Sequence, residues 1–209
     1  LSQMAEYKIG YFKGAVGRAE VIAHVMAHAG VSYCYEDHTG EDLPALQKEI
    51  PLFNMPFIRY GTHTLTETHK PELLGKTPED RVKVAQVVGI VDDVAMGALK
   101  IMFNPNYTDE MLKEVLAGMV TKKLTMLKDY LGEKMHIVGD GITVADILMN
   151  WMLQYLLAIT EKKCCGQELM KHFEKYHCHY MSHATTKKHM ESEARKERKL
   201  FSAGKHGMV

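Results

Sequence analysis

Before Thr77 the apolar residues fall in short clusters separated by turn residues; after it they recur every three or four positions. Tyr7 to Phe12 alternates as a half-buried strand does, and Ile22, Val25, Met26 and Ala29 follow at helical spacing, with Gly30 placed to end that helix. Val31 to Glu36 predicts a second strand and Glu41 to Ile50 a short helix. Met55 to Tyr60 and His63 to Thr66, joined through Gly61-Thr62, predict a hairpin.

The second half opens with a helix-start signature. Thr77 caps, Pro78 suits the first turn, and Glu79 and Asp80 suit the positive end of the dipole. The helix runs to about Met102 and breaks at Asn104-Pro105. Thr108 caps the next, whose Met111, Leu112, Val115, Leu116, Met119, Leu124, Leu127 and Leu131 line one face, so it packs antiparallel to its predecessor. Ahead of a third apolar helix (Leu148, Trp151, Met152, Tyr155, Leu156, Ile159), Thr143 and Asp146 form a capping box, with Ile142 and Ile147 as its hydrophobic staple. The division expected is residues 1–76, mixed α/β, and 77–209, all helical.

Lys plus Arg and Asp plus Glu balance at 26 each, so no net field favours nucleic acid or an acidic surface. No apolar run approaches the roughly 18 residues of a membrane span, and the start lacks a signal-peptide core. Met4 is a candidate natural start. Cys34, Cys164, Cys165 and Cys178 have no disulfide-framework spacing, which points to a reducing, cytoplasmic setting. Lys187 to Lys199, broken by Glu191, Glu193 and Glu197, reads as a solvated helix face. His172, Tyr176, His179 and His183 share helical spacing near Cys178 but match no metal-ligand signature, so no metal is expected. Cys34 lies within a predicted strand and not in a Cys-x-x-Cys turn, which argues against thiol–disulfide chemistry.

The chemistry concentrates at Tyr11. It ends the first strand, and Gly17-Arg18-Ala19-Glu20 enters the helix behind it. That layout sets a phenol beside the positive end of a helix, where it can hold a thiolate. The stretch, together with Gly139-Asp140-Gly141 before the Thr143 box, resembles the cytosolic glutathione transferases, nearest to the mu and sigma classes. Gly61-Thr62-His63-Thr64-Leu65-Thr66 and Asn104-Pro105-Asn106-Tyr107 carry the same likeness. The resemblance runs from Tyr7 to about Phe201. It implies a thioredoxin-like α/β N-terminal domain, an all-α C-terminal domain and a homodimer.

Carried over by position, the resemblance makes Tyr11 the catalytic residue. Asn54-Met55-Pro56 becomes the cis-proline loop that offers backbone groups to the glutathione peptide. Glu67 and Thr68 stand where the family commonly has Gln-Ser for the γ-glutamyl end. Asp93, or its neighbour Asp92, is the acid that reaches across the dimer. Phe12, Ala15, Met102 and Phe103, with Phe201, would line the electrophile pocket. The family's tryptophan and lysine for the glycine carboxylate appear as Leu43 and Gln47, with Lys48 adjacent. Leucine has no donor to replace them. Between Thr68 and Glu72 only His69-Lys70-Pro71 stands where the family has a helix of about three turns. Either the helix was lost or the sequence omits a segment.

The function implied is conjugation of glutathione, as co-substrate, to small hydrophobic electrophiles, a detoxification chemistry. The alternative is a weak or inactive relative with a structural role in a heterologous assembly. Neither nucleic acid nor a membrane is an expected partner.

Overall fold

The computed structural model describes residues 7–50, 53–61, 63–65, 71–102, 104–163 and 167–199. His69-Lys70, where the family's third helix would stand, Glu67, Thr68, Phe103, the Cys164-Cys165 pair and Phe201 lie outside the described residues.

The mixed half forms β1 (Tyr7–Phe12), α1 (Ala19–His28), β2 (Tyr33–His38), α2 (Leu43–Glu49), β3 (Phe57–Tyr60) and β4 (His63–Leu65). The sheet order is β2-β1-β3-β4, with β1 parallel to β2 and antiparallel to β3. This is the thioredoxin-like arrangement. The second strand starts two residues later than its apolar pattern predicts, because the chain leaves α1 through Gly30 (φ +67°) and Val31 N–H donates back to the Met26 carbonyl at 3.0 Å. Ile9 and Ile58 pack on one face against Ala19, Ile22, Ala23 and Met26 of α1. Phe57 packs on the other against Leu46 and Ile50 of α2. A Cβ on Gly10 would stand 2.1 Å from the Phe57 ring, so only glycine lets β1 and that ring share the space.

The helical half begins with a 3-10 turn (Pro71–Leu74) and continues with α3 (Pro78–Met102), α4 (Asp109–Val115), a π turn (Leu116–Val120), α5 (Thr121–Leu131), α6 (Val144–Lys163), α7 (Gln167–Ser182), α8 (Ala184–Met190) and α9 (Glu193–Lys196). Thr77 and Asp80 cap α3 reciprocally, each side chain accepting from the other's amide. The single helix expected from Thr108 to Leu131 is interrupted at Gly118 (φ −90°, ψ −105°). There the end of the Met119 side chain lies against Gly97 of α3, in the space that a Cβ at Gly97 would take.

Asp146 exceeds its capping role. Its carboxylate accepts from Thr143 N–H and Thr143 Oγ at 2.8 Å, from Ile137 N–H at 2.8 Å and from Tyr176 Oη at 2.9 Å, all buried. The box is thus completed by Thr143 donating its hydroxyl to the acid.

Contacts divide the chain into two units. One is built on residues up to Lys70 together with Ala184–Ala203, the other on Pro71–His183. The expected division at residue 76 assigned the whole tail to the helical half; α8 and α9 instead pack with the sheet. The reason is electrostatic. Glu20 of α1 is buried with 0 % exposure, and Arg195 Nε of α9 meets its Oε1 at 2.6 Å. Arg198 pairs with Asp37 at 2.6 Å and lies over the Tyr35 ring. Arg195 and Arg198 are drawn in by these pairs, while Lys187, Lys188, Glu191, Glu193, Lys196, Glu197 and Lys199 stay exposed, as the charge pattern suggests.

Burial alone would raise the Glu20 pKa, but His189, His24 and Arg195 overcome this and hold it well below the ordinary carboxylate value. Below about pH 4.3 the unfolded chain takes up a proton that the folded chain refuses, so this contribution to stability is present above that pH and fades as pH falls towards the folded pKa. Arg195→Ala, which strands the buried charge, is expected to destabilise the fold by about 3 kcal/mol in denaturant titrations at neutral pH, with a smaller loss at pH 3. Asp146→Ala is expected to cost about 3 kcal/mol by the same measurement, since its buried donors lose their acceptor.

Candidate active site

Tyr11 occupies the last turn of the pleat in β1, and the loop from Lys13 to Arg18 brings the chain back so that α1 starts beside it. Arg18 N–H points to Tyr11 Oη at 3.4 Å, a long contact that places the hydroxyl at the positive end of α1. Gly17 has φ +40°, and a Cβ there would stand 2.4 Å from Tyr11 Oη. Burial raises the Tyr11 pKa, opposed by the Arg18 amide and charge. The phenol consequently stays protonated and available as a donor. Phe12 meets its ring edge-on, with centroids 5.4 Å apart.

The β1–β3 register pairs Gly10 with Phe57, which brings the Asn54–Pro56 loop next to the strand end that carries Tyr11. The Met55–Pro56 peptide is cis. Met55 N–H is held by the Asn54 side chain, whose Oδ1 accepts at 3.0 Å. On α2, Leu43 is half-buried while Gln47 and Lys48 are exposed. The sheet unit thus brings Tyr11 and the Asn54-Met55-Pro56 loop together, with α2 supplying its polar side chains on the surface.

Asp93 is exposed on α3, where Lys123 of α5 binds its Oδ2. The backbone of Met102 closes α3. Ala15 is 1 % exposed, because the tail runs over its loop: Val16 N–H donates to the Lys199 carbonyl at 2.9 Å and Lys199 N–H to the Gly14 carbonyl at 3.0 Å. Its methyl group is therefore covered and not displayed to a ligand. His172, His179 and His183 are exposed, and Tyr176 serves Asp146.

The sequence reading missed one cluster. Glu20, His24 and His189 bring ligand-type atoms within 4.8 Å of one another in the interior of the sheet unit. The four-residue spacing of Glu20 and His24 was legible; His189, far along the chain, was not.

Comparison with known proteins fits this geometry. A solved structure described as NaGST-2 superposes with a TM-score of 0.76 at 23 % identity, covering 91 % of this chain and 98 % of that one. The glutathione S-transferase from Ascaris lumbricoides gives 0.73 at 24 %, covering 88 % and 95 %. These likenesses establish the fold. In sequence, the chain is 26 % identical over 173 residues to hematopoietic prostaglandin D synthase of Gallus gallus, across 76 % of this chain and 85 % of that protein. It is 27 % identical over 183 residues to the class-mu 28 kDa glutathione S-transferase isozyme of Schistosoma japonicum, across 79 % and 88 %. Residues 90–184 match the model for the C-terminal domain of glutathione S-transferase. In fold, and over residues 90–184 in sequence, the chain is similar to the glutathione S-transferases. Its thioredoxin-like unit with a helical partner is the architecture of that family. Among the described residues no helix is long and apolar enough to cross a membrane.

Within this glutathione S-transferase scaffold, Gly17 is the steric gate for Tyr11. Gly17→Ala is expected to destabilise the fold by about 1 kcal/mol or more, from its positive φ alone, and to push the Tyr11 ring off the helix end. Denaturant titration reads the first effect. Near-ultraviolet circular dichroism, compared with a Tyr11→Phe variant, reads the second.

Proposed function

We infer that this enzyme conjugates the glutathione thiolate to small hydrophobic electrophiles, with Tyr11 stabilising the thiolate. The observation that carries the reading is the placement of the protonated Tyr11 hydroxyl at the N-terminal end of α1. A free thiol has a pKa of about 8.5, so little thiolate exists at neutral pH without help. Tyr11 Oη donates its hydrogen to the sulfur anion while accepting from Arg18 N–H, which polarises the O–H bond towards the ligand. The thiol proton leaves to solvent, the sulfur lone pair forms the bond to the electrophilic carbon, and a leaving group such as halide departs from that carbon with its bonding pair.

Peptide binding falls to the Asn54-Met55-Pro56 loop. Met55 N–H would exchange its bond to Asn54 for a carbonyl of the glutathione cysteinyl unit, as a peptide adds to a strand edge. Glu67 and Thr68 would take the γ-glutamyl end. Leu43 offers the glycine carboxylate no donor, so Gln47 and Lys48 of α2 carry that contact, Lys48 as a point charge. The enzyme acts as a homodimer in which Asp93 releases Lys123 and reaches the glutathione amine of the other subunit.

The names of the relatives support this reading: several are glutathione S-transferases and others are prostaglandin D synthases. Tyr11→Phe is expected to lower kcat/KM for a chromogenic aryl halide about 10–100-fold at pH 6.5, the worth of one hydrogen bond to a charged group. Its rate should rise with pH along a curve displaced upwards by about one unit. Calorimetric affinity for glutathione should be nearly unchanged. Absence of binding at millimolar glutathione would sink the transferase reading and leave the structural-subunit alternative.

A further inference from the structure

Glu20 Oε2 and His189 Nε2 are buried and have no hydrogen-bond partner among the described residues. Buried polar atoms are almost always satisfied, so such a pair in one place demands a cause. Glu20 and His24 stand one turn apart on α1, and His189 approaches them from α8; their exposures are 0 %, 2 % and 6 %. Both imidazoles turn a ring nitrogen to the carboxylate. His24 Nε2 lies 3.4 Å and His189 Nε2 3.5 Å from Glu20 Oε1. Donor atoms that each sit about 2.0–2.1 Å from a tetrahedral ion stand about 3.4 Å from one another; one ligand-type atom from each of the three residues lies within 4.8 Å of the other two, so small side-chain shifts bring the set onto a common ion.

The structure assigns to Glu20, His24 and His189 a binding site for one divalent transition-metal ion of the zinc class. Two imidazole nitrogens and one carboxylate oxygen suit zinc, whereas calcium and magnesium prefer all-oxygen sets. The surroundings are those of a ligand shell. Tyr33 Oη lies 3.0 Å from His189 Nδ1, on the far side of the ring from the carboxylate, and so orients it. Arg195 Nε occupies Glu20 Oε1 at 2.6 Å, which leaves the unpartnered Oε2 as the ligand oxygen. The guanidinium charge lowers the affinity below that of an unshared carboxylate. Water would complete the coordination.

The site is closed to substrates, so the ion acts structurally. It would tie α8 to α1 in addition to the Glu20–Arg195 pair, and it is independent of the glutathione chemistry proposed above. Because the ligands are buried, loading requires prolonged incubation or refolding with the metal present.

The experiment is equilibrium dialysis of the full chain, refolded with zinc chloride, against buffer holding a weak chelator, followed by metal analysis and thermal melting. The expected result is one zinc per chain with a raised Tm. Both should be lost in His24→Gln and His189→Gln and kept in His179→Gln, which removes an exposed histidine. Retention of the zinc in both Gln variants at those two positions, or none bound by the native chain, would overturn the assignment. Should the variants fail to fold, cobalt(II) substitution of the native chain decides: visible bands of a tetrahedral nitrogen–oxygen site support it, and an octahedral aquo-like spectrum overturns it.

Discussion

Glu20 must keep a negative charge where no water reaches it, and much of the sheet unit is arranged around that obligation. An isolated carboxylate in such a place would cost several kcal/mol. Arg195 supplies the countercharge from a position 175 residues along the chain. The same stretch then delivers Arg198 to Asp37 and to the Ala15 carbonyl, and Lys199 to the backbone of Gly14 and Val16. These contacts hold the loop from Lys13 to Arg18, which aims the Arg18 amide at Tyr11. Neutralising one charge and shaping the loop beside Tyr11 are thus a single docking event.

Asp146 plays the corresponding part in the helical unit, with a different solution. Its two oxygens are saturated by hydrogen bonds from two backbone amides and two hydroxyls, and no counterion is involved. Such an acid is fully satisfied and locks the start of α6 against the preceding loop and α7. Glu20 retains an unpartnered oxygen beside two histidines. That contrast separates a structural acid from one with ligand capacity.

The departures from the family pattern also acquire physical meaning. Leu43 is half-buried, so its apolar side chain is used in packing, while the exposed Gln47 and Lys48 remain as the polar groups of α2. Asn54 holds the Met55 amide, which keeps that exposed backbone group satisfied.

Local rules settled much of the fold. The strand that ends on Tyr11, the reciprocal Thr77–Asp80 cap, the long helix from Pro78 to Met102 and the Thr143–Asp146 box depend on residues a few positions apart, and such interactions are written in sequence spacing. Tyr11 and Asn54-Met55-Pro56 were singled out from the sequence by a family pattern, and the β1–β3 register brings the two stretches to the same end of the sheet. The interruption at Gly118, the burial of Ala15 and the docking of residues 184–199 on the sheet were not. Each arises where segments distant in sequence meet: Met119 at Gly97, Lys199 at Gly14 and Val16, Arg195 at Glu20. A run of lysines and arginines looks the same on paper whether it faces water or a buried carboxylate. Only the tertiary structure decides, because the cost of desolvating a charge depends on what the fold places next to it.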